Sequence, residues 1–240
     1  WMLTKIQFVS NVNSYYDHGY HVRYGETEAT SKTKIRGYCD AISLRYLELL
    51  GLQLSLNQPT YYQSDIDVCK GTVTTSNVDL VCCAPDLNIF NGHSTLNSVI
   101  SGFVQQYPGS NKTTNIYWSG HKILSVATNG TINENRSCST GNSIFMIEIS
   151  ESNVRQRDSI GVLMHELNHQ YGAKDHYHEL ADLNDPGSCK FKDICSQCGV
   201  NKRSPTCIMN QPRKNIDSND IICPECKQDI INHLTQHHIG

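Results

Sequence analysis

The segment from His165 to Tyr177, with the sequence HELNHQYGAKDHY, carries the side chains of this chain that are best suited to bind a metal. His165 and His169 are four residues apart, so on a helix both imidazoles project from one face and can share a cation. Glu166 stands beside them, where a general base can take a proton from a zinc-bound water. The pattern therefore predicts the active site of a zinc peptidase.

The residues after His169 extend this pattern. Gly172 favours a left-handed turn that ends the helix, and the chain then bends back toward the metal. Asp175 and His176 follow the bend, six and seven residues after His169. A carboxylate and an imidazole both bind zinc, and imidazole is the commoner ligand. The residues alone therefore leave two candidates for the third ligand.

This string resembles the metzincin clan of zinc proteases, in which a Gly follows the second His and a third ligand comes three residues later. The usual third ligand of that clan is His. Snapalysin-like bacterial proteases instead carry Asp followed by His and Tyr, as Asp175, His176 and Tyr177 do here. The resemblance implies Asp175 as the ligand and Glu166 as the catalytic base. Tyr177 is either a helper for the oxyanion or a packed aromatic ring.

A second segment, Cys207-Ile208-Met209-Asn210, resembles the Met-turn that lies beneath the zinc in metzincins. The implied fold class is α+β, with a mixed twisted sheet packed on helices and a loop-rich C-terminal part that ends in a helix. We expect one catalytic domain over residues 1–240. Its upper subdomain spans about 1–172, and its cysteine-rich lower subdomain spans about 173–240.

Eleven cysteines are far more than a cytosolic enzyme of this size normally carries, so disulfides, a structural metal or both are expected. The two Cys-x-x-Cys pairs of the C-terminal part have the spacing of a four-thiolate zinc site. Archaemetzincins hold a second zinc with cysteines around the Met-turn, whereas reprolysin-type metzincins form disulfides there. Both alternatives stay open, with disulfides favoured. The candidate ligands of a structural zinc are Cys195, Cys198, Cys207, Cys223 and Cys226.

Hydrophobic periodicity predicts the elements that must position these residues. Apolar residues recur every three or four positions from Ile35 to Leu49 and from Leu96 to Val104, which is typical of buried helix faces. Strands are predicted near residues 6–8, 52–56, 115–119, 122–127 and 143–149. A stripe from Ile160 to Tyr171 indicates the zinc helix, and a last helix is expected to begin near Pro224.

The resemblance also implies how substrate binds, because in metzincins the strand along the cleft pairs with an extended peptide. Residues 122–127 and the segment near Ser143 are the two candidates for that edge strand. The net charge of −3 implies neither nucleic acid nor an anionic membrane as a partner. No apolar run reaches the length needed to cross a bilayer. We expect a secreted monomer that binds one catalytic Zn²⁺ and acts on proteins or peptides.

Two other classes of function remain open. The C-terminal cysteines could form a zinc-ribbon-like module that binds a partner, with the His165 region as a degenerate site. The intact Glu166 argues against this, because an idle site has no chemical need for that carboxylate. The other class is a zinc hydrolase with a substrate other than protein, which the resemblance does not support.

Overall fold

A mixed sheet with helices packed against it forms the described part of the chain. The computed structural model describes residues 5–21, 27–63, 101–120, 124–126, 132–134, 137–147, 158–175, 207–209 and 215–238. The strands are β1 (Phe8–Tyr16), β2 (Leu52–Leu56), β3 (Thr60–Tyr61), β4 (Thr113–Ser119), β5 (Leu124–Val126), β6 (Ile132–Glu134), β7 (Cys138–Thr140) and β8 (Ser143–Ile147). The helices are α1 (His18–Tyr20), α2 (Glu28–Leu50), α3 (Ser159–Gln170) and α4 (Pro224–His237), and residues 101–106 are also helical.

The larger sheet has the strand order β2-β1-β4-β8-β7, and β3 pairs with the end of β1. β1 runs parallel to β2, β3 and β4, and β4 runs parallel to β8. β7 runs antiparallel to β8. Gly141, with φ of +52°, lies in the two-residue connection between these last two strands. Such a reversal requires a backbone conformation that glycine adopts without strain. Within the described residues, β7 is therefore an edge strand.

Each face of the sheet carries its own hydrophobic cluster. Successive side chains of a strand point to opposite faces, so Ile116 and Trp118 of β4 join the main cluster while Tyr117 joins the second. The main cluster also takes in buried residues of α2, α3 and α4. The second contains Phe103 from the helical residues 101–106. The helix that was predicted to carry the zinc ligands, α3, therefore packs on the face of the sheet with the larger hydrophobic cluster.

The predicted α+β class agrees with these elements, and most predicted segments are found. α2 buries Ile35, Cys39, Ile42 and Tyr46 along one face and ends at Gly51, whose φ is +65°. Thr27 and Thr30 form a reciprocal cap at its start, which satisfies backbone N–H groups that the first turn leaves free. α4 begins at Pro224 and buries Ile230 and Leu234, as predicted, whereas Ile231, which was also predicted to be buried, is only half-buried.

Several strand predictions need correction. The first strand begins at Phe8 rather than Ile6, and Ile6 is 47% exposed. Neither candidate for the substrate-binding edge strand lies at an edge of the larger sheet. β8 is interior to that sheet, and β5 pairs with β6 in a separate two-stranded sheet. The edge of the larger sheet next to β8 is formed by β7, whose three residues are too few to show a hydrophobic period. Residues 96–100 of the second predicted helix lie outside the described residues.

No helix among the described residues combines the length and the apolar character that a bilayer crossing requires. The proposed division of the chain near residue 172 stays a prediction. Buried residues from both sides of that position nevertheless share the main hydrophobic cluster, among them Leu163 and Leu234.

Candidate metal centre

The helix that carries the His-Glu-x-x-His pattern is buried on nearly every side. α3 begins after Asp158, whose side chain accepts a hydrogen bond of 2.7 Å from the backbone N–H of Gly161. The sequence predicted one buried stripe, but residues 161–168 are all buried, because α2, β7 and β8 pack around the helix. Tyr46 of α2 donates a hydrogen bond of 2.8 Å to the amide oxygen of Asn168. This contact fixes the helix against its neighbour.

Three potential ligand atoms meet at the end of α3. Nε2 of His165 lies 3.2 Å from Nε2 of His169. Oδ1 of Asp175 lies 3.2 Å from the first nitrogen and 3.4 Å from the second. In a tetrahedral zinc site with bonds of about 2.0–2.1 Å, ligand atoms are separated by about 3.3–3.4 Å. The three measured separations match that requirement.

The outer nitrogens of the two imidazoles both face carbonyl oxygens. Nδ1 of His165 is 2.9 Å from the carbonyl oxygen of Ile208, and Nδ1 of His169 is 3.0 Å from that of Ala173. A carbonyl can only accept, so each ring proton belongs on Nδ1. Each Nε2 then presents a lone pair toward Asp175. Hydrogen bonding of the outer nitrogen is the usual way in which a protein orients a metal-binding imidazole.

The donor set therefore fits a cation. Two lone pairs and a carboxylate oxygen at about 3.3 Å repel one another unless a positive charge lies between them. Oδ1 of Asp175 is buried and has no hydrogen-bond partner among the residues that the structure describes. This oxygen is thus available as a ligand.

Glu166 is adjacent to the three candidate ligands but is not one of the group whose atoms converge. Its side chain is 7% exposed. Burial raises its pKa to about 7, against an opposing effect of the Ser139 backbone. A carboxylate with a pKa near neutrality can both accept and return a proton. This is the chemistry expected of a general base and acid.

The bend after α3 depends on Gly172. Its φ is +87°, a left-handed conformation that side chains with a Cβ rarely adopt. A Cβ at this position would also lie 3.3 Å from the Cβ of His233 in α4. The predicted turn is therefore present, and it brings Asp175 back to the histidines.

The segment Cys207-Ile208-Met209 forms a turn next to this centre. The carbonyl of Ile208 accepts the Nδ1 proton of His165, while its N–H donates to the carbonyl of Ile221 at 2.8 Å. All three side chains of the turn are completely buried. The turn therefore supports a candidate ligand through its backbone.

A second group of potential ligands consists of Cys207, Cys223 and Cys226, all buried. The sulfurs of Cys207 and Cys226 are 3.9 Å apart, close to the separation of about 3.8 Å for thiolates on a tetrahedral zinc with bonds of about 2.3 Å. Hydrogen bonds from the other two thiols lower the pKa of Cys207. The backbone of Met209 lowers it further. The group therefore fits a metal that binds sulfur.

The disulfide prediction draws no support from the cysteines that the structure describes. Cys39, Cys138 and Cys207 are free thiols. The sulfur separation of 3.9 Å also exceeds the S–S bond length of about 2.05 Å. Cys195 and Cys198, the other predicted ligands of a structural zinc, lie outside the described residues. His176, Tyr177 and Asn210 lie outside them as well.

Two residues near Glu166 escaped prediction. The backbone of Ser139 in β7 lowers the pKa of that carboxyl, and the side-chain amide of Gln170 donates to the hydroxyl of Ser139. Neither residue type binds zinc or transfers protons in the predicted chemistry. The one available signal was the position of Gln170, four residues after Glu166 and so on the same helix face.

Comparison with known proteins leaves the family open. No protein-family model and no curated protein matches this chain. Among solved structures, it is similar to a zinc-dependent peptidase from Methanocorpusculum labreanum (strain Z), with a TM-score of 0.35. The two share 10% sequence identity, and the match covers 91% of this chain and 99% of that chain. We therefore interpret the site from its own geometry.

Proposed function

We propose that the protein is a zinc-dependent endopeptidase. The observation that carries this proposal is the triangle of His165, His169 and Asp175, with sides of 3.2, 3.2 and 3.4 Å. A buried carboxylate that is not part of the triangle, Glu166, adjoins it. Zinc ligands together with a separate base form the set of groups that metal-assisted hydrolysis needs. Asp175 is our proposed third ligand because its oxygen completes the triangle.

When bound, zinc would supply a Lewis acid that polarises a peptide carbonyl and makes a water more acidic. His165, His169 and Asp175 would hold it through Nε2, Nε2 and Oδ1. The carboxylate of Glu166 would take one proton from the attacking water and deliver it to the nitrogen of the leaving amine. The buried surroundings of Glu166 keep bulk water from competing for that proton.

The substrate would be an extended segment of protein or peptide. β7 lies at the edge of the larger sheet, and it packs against α3, which carries Glu166. An edge strand offers unpaired backbone N–H and C=O groups to an incoming strand. We therefore propose that substrate pairs with β7 by main-chain hydrogen bonds.

We also propose, more specifically, that this peptidase belongs to the metzincin clan. It is supported by the bend at Gly172, by the position of Asp175 and by the turn at Cys207-Ile208-Met209, whose backbone holds His165. We propose that this turn corresponds to the Met-turn of that clan. We retain one catalytic domain, a monomeric state and secretion as proposals. Secretion draws no support from Cys39, Cys138 and Cys207, which are free thiols.

We further propose a second, structural zinc bound by Cys207, Cys223 and Cys226. The convergence of their sulfurs supports it. Cys223 and Cys226 also stand at the first turn of α4, where the helix dipole favours thiolates. A fourth ligand from Cys195 or Cys198 would complete a tetrahedral site.

Replacement of the proposed base tests the function directly. We expect Glu166→Ala to keep its zinc and to lose at least about 100-fold in kcat, the lower range of what a general base contributes. Zinc content and cleavage of a mixed peptide library are the two measurements. Glu28→Ala serves as the control, because Glu28 is an exposed carboxylate on α2 that pairs with Lys32. Cleavage by Glu166→Ala at the parent rate would show that the mechanism is wrong.

A further inference from the structure

Three imidazoles gather at the end of α4, outside the candidate metal centre. His233 and His237 are four residues apart and project from one face of the helix, and His238 follows directly. The ring centroid of His233 lies 4.6 Å from that of His237 and 6.0 Å from that of His238. His165 and His169 have the same spacing in α3, and their ring centroids are 4.8 Å apart. The pair in α4 is therefore as close as the pair in the candidate metal centre.

His238 is the most buried of the three, with an exposed fraction of 4%. Its Nδ1 lies 3.2 Å from the carbonyl oxygen of Val9 in β1. The ring proton belongs on that nitrogen, because a carbonyl can only accept. Its Nε2 is buried and has no hydrogen-bond partner among the described residues. A buried acceptor that lacks a donor is costly, so this lone pair is suited to a cation.

We propose that His233, His237 and His238 bind a divalent transition-metal ion of the kind that imidazole prefers, namely Ni²⁺, Cu²⁺ or Zn²⁺. The site uses none of the ligands proposed for the other two metal sites, and it does not rest on the proposed peptidase function. Two imidazoles on one ion, with metal–nitrogen bonds of about 2.0–2.1 Å, have ring centroids about 5 Å apart. The two measured separations lie on either side of that value.

The position of the three rings at the end of a helix favours a positive charge. His237 is the last residue of α4, where the helix dipole places its negative end. The three ligand atoms do not converge as closely as those of His165, His169 and Asp175, so the rings must turn about their side-chain torsions to share an ion. That ordering reduces the affinity. We therefore expect the site to fill at higher metal concentrations than the two proposed zinc sites.

A bound ion would join elements that meet behind the metal centre. A Cβ at Gly172, in the bend after α3, would lie 3.3 Å from the Cβ of His233. The ring of Tyr171 packs against His233 and His238, with centroids 6.5 and 5.9 Å away. An ion on the three imidazoles would thus link the last turn of α4 to a ring that is hydrogen-bonded to β1. Because the ion binds the folded chain, it should raise the stability of the fold.

Binding of Ni²⁺ to the zinc-loaded protein, prepared without an affinity tag, tests the site. Equilibrium dialysis should show one equivalent of Ni²⁺ on the parent, with no loss of zinc. His233→Ala, His237→Ala and His238→Phe should each weaken this binding by more than about tenfold. At a free Ni²⁺ concentration of about 100 times Kd, the Tm of the parent should rise by at least about 5 °C. The rise in the three variants should be less than half as large.

His18→Ala is the matched control, because it removes a histidine from α1, which follows the opposite end of β1. It should bind Ni²⁺ like the parent. Absence of the Ni²⁺ equivalent in the parent would overturn the proposal, and so would unchanged binding in the three variants. Equal weakening in His18→Ala would show binding that is not specific to the end of α4. Release of one zinc for each Ni²⁺ bound would place the ion in a zinc site and would also overturn the proposal.

Discussion

At the scale of single residues, the position of the ring proton on each histidine of the candidate metal centre determines which nitrogen can bind a metal. The carbonyls of Ile208 and Ala173 face the Nδ1 atoms of His165 and His169. Both imidazoles are thereby restricted to the tautomer whose Nε2 has a free lone pair. One carbonyl comes from the bend just after α3, and the other comes from a turn about forty residues further along the chain. Local and distant parts of the sequence thus prepare the same pair of ligands.

The identity of the third ligand is the sharpest prediction at this scale. We expect Asp175→Ala to weaken zinc binding by more than about 100-fold, beyond what the loss of a supporting hydrogen bond costs, because its carboxylate completes the triangle. His176→Ala should bind zinc like the parent. Competition with a chelator of known affinity measures both. The reverse result would make His176 the ligand and would disprove the present assignment.

At the scale of elements, the ends of β1 and β4 are joined through one buried carboxylate. Asp17, which is completely buried, accepts hydrogen bonds from the backbone N–H of Tyr20 at 2.7 Å and from the hydroxyl of Tyr117 at 2.9 Å. Ser119 and the N–H of Gly120 donate to it as well. A carboxylate with this many donors is strongly stabilised in its charged form. It fixes α1 to the sheet without belonging to the metal centre.

Removal of this carboxylate should therefore destabilise the fold. Asp17→Ala would leave several buried donors without an acceptor, so we expect the free energy of unfolding to fall by about 3 kcal/mol or more. Urea denaturation followed by circular dichroism measures the change. Asp40→Ala is the control: its exposed carboxylate pairs with Arg36 on the surface of α2, and such pairs contribute about 0.5 kcal/mol. Equal midpoints for the two variants would contradict the assignment.

Elements differ in how far the sequence predicts them, and the reason is their length. α2 has 23 residues and a glycine that ends it, so its period and its stop are both visible. β7 has three residues and no period to detect. The packing of Ser139 near Glu166 therefore could not be predicted, since Ser139 belongs to that strand. The candidate ligands were predictable, because one helical turn and one bend bring them together.

At the scale of the whole molecule, the C-terminal part is built into the main core. Arg45 of α2 donates to the carbonyls of Ile216 and Asp217 at 2.9 and 2.8 Å. Cys207, Cys223 and Cys226 belong to the same hydrophobic cluster as α2 and α3. The turn that orients His165 is therefore held by the described C-terminal residues. We therefore expect a change in the stability of the C-terminal part to change the zinc affinity of the metal centre.

The number of zinc ions per chain tests this connection. We expect two equivalents in the parent protein and one in Cys226→Ser, because the proposed structural zinc needs the thiolate of Cys226. Since a structural zinc contributes directly to folding, Tm should also fall by at least about 5 °C in that variant. The remaining zinc should bind more weakly than in the parent, because the turn carrying Ile208 loses its anchor at Cys207. Metal analysis and calorimetry measure these effects.

The control is Cys39→Ala, which removes a buried thiol that is not one of the three candidate zinc ligands. This variant should keep both zinc ions. A single equivalent of zinc in the parent would show that the three cysteines hold no metal.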